Sequence, residues 1–421
     1  MRESIKNRID AVRRGEVPEG YLSENHQLRP KDWQYEKIGK YLVSHDEFSN
    51  ETDRYPLATS SRQGLMLQSD YYSDQRYEET AGGFHVVPEG YVTYRHMSDD
   101  DIFRFNVNKM GCAVLVSPEY PVFTTSDDLH QDLLIAYLNN MKEFTAYCSA
   151  QKKGSTRTRM YFSRLGEFTM PIPSTAEQKK IVEILATCDR ALELKQKLLE
   201  EKRRQKQWLM QKLLDPSSGV RLPGFERSEW IETPLSDLCE FVGGGTPDTS
   251  NDEYWHGTIP WISSADLQEG NIRCINATRY ITEEAVNNSA TKICPENSIL
   301  IVSRVGVGKI AIAPTALCTS QDFINLVDVK GNLYFVTLQL QREIQRILSM
   351  SQGTSIKGIA SKEIKAMVIE LPARDEQDTI ANVLESSDRE ITLIETEIKA
   401  WQQKKKAIMQ LLLTGLARVN A

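Results

Sequence analysis

A chain of 421 residues, 40% hydrophobic and 26% charged, has the make-up of a soluble globular protein and is too long for one ordinary core. No apolar run reaches the roughly 18 residues that a membrane-spanning helix needs. The charged start MRESIKNRIDAVRRGE lacks the apolar stretch of a secretory signal, so the expected compartment is the cytoplasm. The net charge of −7 excludes a surface that is basic throughout, so any nucleic-acid contact has to be local.

In chain order, residues 1–31 hold a short predicted helix with Ile5, Ile9 and Val12 on one face, followed by a lead-in, LRPKDW, ending at Trp33. That helix is expected to bundle with the end of the last helix. A first globular unit, 32–170, contains VPEGYVTYRHM from Val87, a Pro-Glu turn and an apolar strand that ends in Arg95. The unit is acidic for most of its length, yet closes on QKKGSTRTRMYFSR, where Lys152, Lys153, Arg157, Arg159 and Arg164 crowd together. A long helix is predicted from about Thr175 to Leu214, within a spacer spanning 171–216 and punctuated by Asp215-Pro216.

The stretch RLPGFERSEW, ending at Trp230, opens a second unit, 217–370, in which Leu235 and Leu238 follow the tryptophan as Ile38 and Tyr41 follow Trp33. Here Gly243–Pro247 marks a tight turn, and IPWIS, SILIVS and KIAIA read as strands. A helix is expected over Tyr334–Met350, making the fold class α+β with an antiparallel-leaning sheet. CPENSILIVSR from Cys294 echoes the Val87 segment, with Arg304 two residues out of register with Arg95. The sequence Arg304–Lys309 is no phosphate-binding loop, because Ser303 replaces the first glycine and Ile310 follows the lysine. It reads instead as a hairpin tip presenting Arg304 and Lys309. A last helix fills 371–421.

An internal repeat organises these elements. Residues 153–214 and 352–413 align without a gap at an offset of 199: Ile172-Pro173 with Leu371-Pro372, Glu177-Gln178 with Glu376-Gln377, Asp189-Arg190 with Asp388-Arg389. In the second copy Ile380, Leu384, Ser387, Ile391, Ile394, Ile398, Trp401, Lys405, Ile408 and Leu412 alternate in steps of four and three, the seam of a coiled coil. The first copy keeps the spacing, with Lys195, Lys202 and Lys206 interrupting the apolar positions. Neither helix can bury its stripe alone, so the two are expected to pack together, antiparallel, the alternative being that each docks on its own neighbouring globular unit. A ring-like, approximately two-fold arrangement is expected to follow. Each copy opens on a loop of glycine, hydroxyls and cations: Lys153–Thr156, and Gly353-Thr354-Ser355 with Lys357, Lys362 and Lys365. Such loops suit phosphate oxygens. The candidate DNA contacts are Arg95, Lys152, Lys153, Arg157, Arg159, Thr246, Arg304, Lys309, Thr354 and Lys357.

The seven cysteines form no CxxC pair and are expected as reduced thiols in packed interiors. Catalytic signatures are missing: no Asn/Asp-Pro-Pro-Tyr/Phe segment, no HExxH, no GxSxG. A nuclease could be assembled only from Pro247-Asp248 and the distant Glu363-Ile364-Lys365, and the same Glu-x-Lys spacing recurs at Glu397–Lys399 inside the coiled coil. No catalytic residue and no metal site is expected.

The motifs GGGTP at Gly243–Pro247, IPWISSADLQEGNI at Ile259–Ile272 and GTSIKGI at Gly353–Ile359 resemble those of type I restriction–modification specificity subunits. So do LPARDEQDTIANVLESSDREI at Leu371–Ile391 and its earlier copy from Ile172. The first unit lacks the GGTP turn and the IPWIS strand, so its assignment rests on position, the GST loop and the helix after it. The resemblance implies two α/β target-recognition domains separated by two long antiparallel coiled-coil helices in a pseudo-two-fold repeat. It further implies a non-catalytic subunit that binds double-stranded DNA at a bipartite, asymmetric target, with half-sites about one helical turn, roughly 34 Å, apart. The implied partners are two methyltransferase (modification) subunits and motor-nuclease (restriction) subunits. The cofactors S-adenosylmethionine, ATP and Mg²⁺ would belong to them and not to this chain. Two alternatives remain at this level: the recognition subunit of a fused methyltransferase–nuclease, and a coiled-coil scaffold that binds no DNA.

Overall fold

A computed structural model describes residues 2–24, 27–71, 83–152, 157–350 and 358–419. The chain divides into two compact units, the first built from Met1–Gln196 with Glu397–Ala421, the second from Lys197–Thr396. The elements used below are, in chain order, α1 (Arg2–Arg13), β1 (Gln34–Lys37), β2 (Leu42–Ser44), β3 (Ala58–Ser61), β4 (Gly64–Leu67), β5 (Val92–Tyr94), β6 (Phe105–Val107) and β7 (Val122–Thr125). They continue with helices α2 (Gln131–Asn140), α3 (Lys142–Ala150) and, after β8 (Thr169–Ile172), α4 (Thr175–Leu213). The second unit adds β9 (Ile231–Pro234), β10 (Glu240–Gly243), β11 (Ile259–Ile262), β12 (Ile299–Val302), β13 (Ile310–Ile312), β14 (Phe323–Val327), α5 (Leu333–Met350), β15 (Val368–Leu371) and α6 (Arg374–Leu413).

Both units are built to one plan. Each has a four-stranded antiparallel sheet of the same order, β2-β7-β5-β6 in the first and β10-β14-β12-β13 in the second. A two-stranded clamp, β1 with β8 and β9 with β15, ties the entry of each unit to its exit. In β12 the alternation of the strand decides burial. Ile299 and Ile301 face a core with Phe335, Ile364 and Leu384, whereas Leu300 and Val302 face a second core with Ile262 and Phe323. The first unit's main core is more aromatic, with Trp33, Tyr94, Phe105, Phe123, Phe144 and Phe168. The three strands and the helix expected in the second unit all form, the helix starting one residue earlier than read.

The heptad helices behave as their seams require. In the first unit Ile181 and Leu185 of α4 share a core with Met409 and Leu412 of α6. In the second, Leu213 of α4 joins Ile380 and Leu384 of α6. Antiparallel register is written in ion pairs. Lys195 reaches Glu397 at 2.6 Å in the first unit, where Lys405 also pairs with Asp189. In the second, Lys202 reaches Glu390 at 2.6 Å and Lys206 reaches Asp388 at 2.5 Å. The three lysines that interrupt the seam of α4 are therefore each matched by a carboxylate from α6.

Helix α1 lies beside the end of α6, as expected: Arg8 donates from Nη1 to the Leu416 carbonyl at 3.1 Å. Five cysteines are buried, Cys112 is exposed and Cys274 half-buried. Burial pushes the Cys148 and Cys294 thiols up to about 12, which keeps them protonated and unreactive. No helix among the described residues is long and apolar enough to cross a membrane.

Candidate nucleic-acid interface

In each unit, one edge of the four-stranded sheet collects the charged turns. Strand β5 ends at Tyr94, and Arg95 projects into solvent directly after it; β12 ends at Val302, and Arg304 projects two residues later. The repeat fixes their correspondence. Met160 donates its backbone N–H to the His96 carbonyl at 2.8 Å, and Ile359, its partner at the offset of 199, donates to the Ser303 carbonyl at 2.8 Å. His96 thus matches Ser303, so Arg304 occupies the place of Met97 and Arg95 that of Val302. The two arginines share an edge and differ in position by two residues.

Around Arg95 the first unit gathers the other cations of its basic stretch. Arg159 sits opposite Met97 in a two-residue ladder. Arg157 bonds Asp99 at 2.6 Å, and Lys152 lies 3.7 Å from Asp101. Asp100 holds a third cation that the sequence reading missed, Arg62, at 2.5 Å. Three consecutive aspartates therefore each neutralise one basic side chain, with Asp101 in the left-handed region at φ 63°. His96, between Arg95 and Arg159, adds little charge, because burial and then the two arginines push its pKa down against Glu119.

In the second unit Arg304 is exposed and 3.8 Å from Asp322. Lys309 is placed differently from the hairpin-tip expectation. Its ammonium donates to the Ser264 and Leu267 carbonyls, each at 3.0 Å, and so ties down the turn after β11. That turn is also closed by Ser263 and Asp266, which accept from Arg279 at 2.6 and 2.9 Å while the guanidinium stacks on Trp261. Trp261 in turn donates Nε1–H to the Gly245 carbonyl at 2.9 Å. The GGGTP segment passes so close to the turn before β14 that a Cβ on Gly244 would stand 2.0 Å from the Ser320 carbonyl oxygen. The Thr246 hydroxyl donates to Gln321 Oε1, an exposed amide that the sequence reading also missed. The motifs GGGTP and IPWISSAD thus build a scaffold, and Thr246, Gln321 and Arg304 are what it displays. Lys153, Thr354 and Lys357 lie outside the described residues.

The family model for the type I restriction modification DNA specificity domain matches residues 85–201 and 227–401. The chain belongs to this family. Both matches run from a globular unit into a long helix, which is the repeat seen in the fold. Among relatives of this specificity chain, the MjaIX specificity subunit of Methanocaldococcus jannaschii is 34% identical over 190 residues, 44% of this chain and 43% of that subunit. The EcoR124I/EcoR124II specificity subunit of Escherichia coli is 30% identical over 250 residues, 55% of this chain and 58% of that one. The matched stretch thus spans about half the length of these relatives. The solved S subunit of M. genitalium aligns with a TM-score of 0.54 at 14% identity, over 93% of this chain and 99% of that one. A chain from a structure of a type I R-M system aligns with a TM-score of 0.57 at 15% identity, over 91% and 98%. The fold of this specificity chain is accordingly that of type I S subunits, a mixed helix-and-sheet unit used twice.

Proposed function

We propose that this chain is the non-catalytic, DNA-reading subunit of a type I restriction–modification enzyme, working in the cytoplasm. Each unit reads one half of a bipartite, asymmetric target, and the paired helices α4 and α6 fix the length of the unread gap. The observation that carries this is the repetition itself: one sheet topology occurs twice, each copy with an exposed arginine turn at the same edge. The turns carry different side chains, so the half-sites differ. Arg95, Lys152, Arg157 and Arg159 serve the first half, with Thr246 and Arg304 serving the second. Lys153, Thr354 and Lys357 complete the list as contacts of the two glycine loops, whereas Lys309 acts by positioning the turn beside Arg304.

The specificity chain carries two modification subunits and, in the full enzyme, motor-nuclease subunits. They bring S-adenosylmethionine, ATP and Mg²⁺ and much of the positive charge that a chain of net −7 lacks. Replacing residues 32–150 with the corresponding segment of another specificity subunit tests this. Mapping of methylated adenines in a host carrying the exchanged chain with its partners should show one half-site changed and the other retained. A change in both halves would falsify the division of labour.

A further inference from the structure

The first unit lacks the turn and strand motifs that scaffold the second, and carries instead a hairpin, β3–β4, with Arg62 and Gln63 at its tip. The hairpin is locked down. Asn106, buried on β6, donates from Nδ2 to Ser60 Oγ and to the Ser61 carbonyl, both at 2.8 Å. Ser61 Oγ accepts from the Gln63 N–H at 3.1 Å and donates to the Gly64 carbonyl at 2.9 Å. Gly64 itself takes a φ of 137°, in the region that favours glycine. The tip overhangs an open cleft of about 360 Å³ lined by Arg62, Gln63, Arg95, Asp99, Arg104 and Tyr120, among others. Arg62, Gln63, Arg95 and Arg104 are all exposed.

We propose that this hairpin tip, with Arg95 and Arg104, is the base-reading element of the first unit, entering the major groove of double-stranded DNA. The inference rests on the reading of the chain as a DNA specificity subunit and assigns that activity to residues. Three observations carry it. A two-stranded ribbon fits the major groove, and an arginine–glutamine pair offers planar forks for the guanine and adenine edges. The cleft mixes cations with an amide and a carboxylate, a set that suits base edges, where an aspartate can accept from cytosine. Finally, the tip is held by a buried amide and a glycine, so little ordering is left to be done on binding. In the free protein Arg62 rests on Asp100 at 2.5 Å, an exposed pair that costs little to exchange for a base.

The test is selection from a pool of randomised duplexes by the chain in complex with its modification subunits, followed by sequencing. The wild-type complex is expected to enrich a two-part sequence. Arg62→Ala and Gln63→Ala should each lose discrimination by ~10- to 100-fold at one or two positions of one half, the other half being untouched. Arg62→Lys keeps the charge without the planar fork and should lose the same preference, which guards against a mere folding defect in the alanine variants. Unchanged sequences from all three variants would overturn the hairpin's role and leave the specificity reading standing. So would weaker binding of every duplex with the preferred sequence intact, because Arg62 would then be a phosphate contact. A wild-type complex that enriches nothing would sink both.

Discussion

Glu177 and Gln178 occur again as Glu376 and Gln377, and the structure gives the pair a mechanical meaning. Gln178 donates to the Pro173 and Asp128 carbonyls and accepts the His130 N–H at 2.7 Å, which ties the start of α4 to the loop before α2. Gln377 does the same before α5, through the Pro372 carbonyl and the Asn332 N–H. The glutamates differ. Glu177 receives Trp33 Nε1–H at 2.9 Å and Arg418, which also grips Asp32 at 2.7 Å. Both carboxylate oxygens of Glu376 are buried with no hydrogen-bond partner among the described residues. Arg418→Ala should therefore cost about 3 kcal/mol, since it leaves Glu177 buried beside an indole with no counter-charge. Thermal or urea unfolding measures this, and a loss below about 1 kcal/mol would mean that the pair is cosmetic. The Arg418 hydrogen bond is the largest influence on Asp32 and holds its carboxyl below the usual range. A group with a lowered pKa stabilises above its unfolded value, about 4, and loses that contribution as pH falls through the folded value. The difference between wild type and variant should accordingly narrow, by the Asp32 share, as acid is added below pH ~4.

The long helices were the most legible elements in the sequence, because a four-three seam sustained over ten positions calls for an apolar partner along its whole length. What the pattern left unexplained was the three lysines within it. They are answered by Glu397, Glu390 and Asp388, residues from the far end of the repeat, and only antiparallel pairing brings those together. The cross-helix ion pairs also make length a matched property. Removing residues 193–199 together with 395–401 should shorten each helix by about 10 Å at 1.5 Å per residue. The gap in the methylated target should then shrink by about three base pairs at 3.4 Å each. Removing either segment alone deletes one partner of the Lys195–Glu397 pair and throws the cross-helix pairs on one side of the cut out of register, and should abolish methylation. An unchanged gap after the double removal would end the idea of the helices as a ruler. The first unit was the least legible region. Its strands run only two to four residues, too short for an alternation to show. Arg62 and Gln63 stand in SSRQGL, whose one signal is a glycine. The aspartates that neutralise Arg62, Arg157 and Lys152 were visible as an acidic stretch, but their pairing spans some 40 to 60 residues of sequence.

At the scale of the whole chain, the two units share a sheet order and a clamp but not a connectivity. The second is one uninterrupted stretch, Lys197–Thr396. The first is assembled from two stretches, and residues after Glu397 are structural parts of it. Tyr21 donates its hydroxyl to the Gly415 carbonyl at 2.6 Å, Arg418 bridges Asp32 and Glu177, and Met409 and Leu412 sit in the core beside Trp33.

This discontinuity reverses the order of maturation. On the ribosome, residues 197–396 are expected to fold first, because their main core is drawn from that stretch alone, while residues 1–196 still wait for Met409, Leu412 and Arg418. The portion translated first is thus the portion finished last, and it stays vulnerable to proteases for the time taken to add the remaining residues. A chain stopped after Thr396 should show a protease-resistant fragment covering 197–396 and rapid cleavage before Gln196. Protection of the early stretch in that truncated chain would refute the sequence of events.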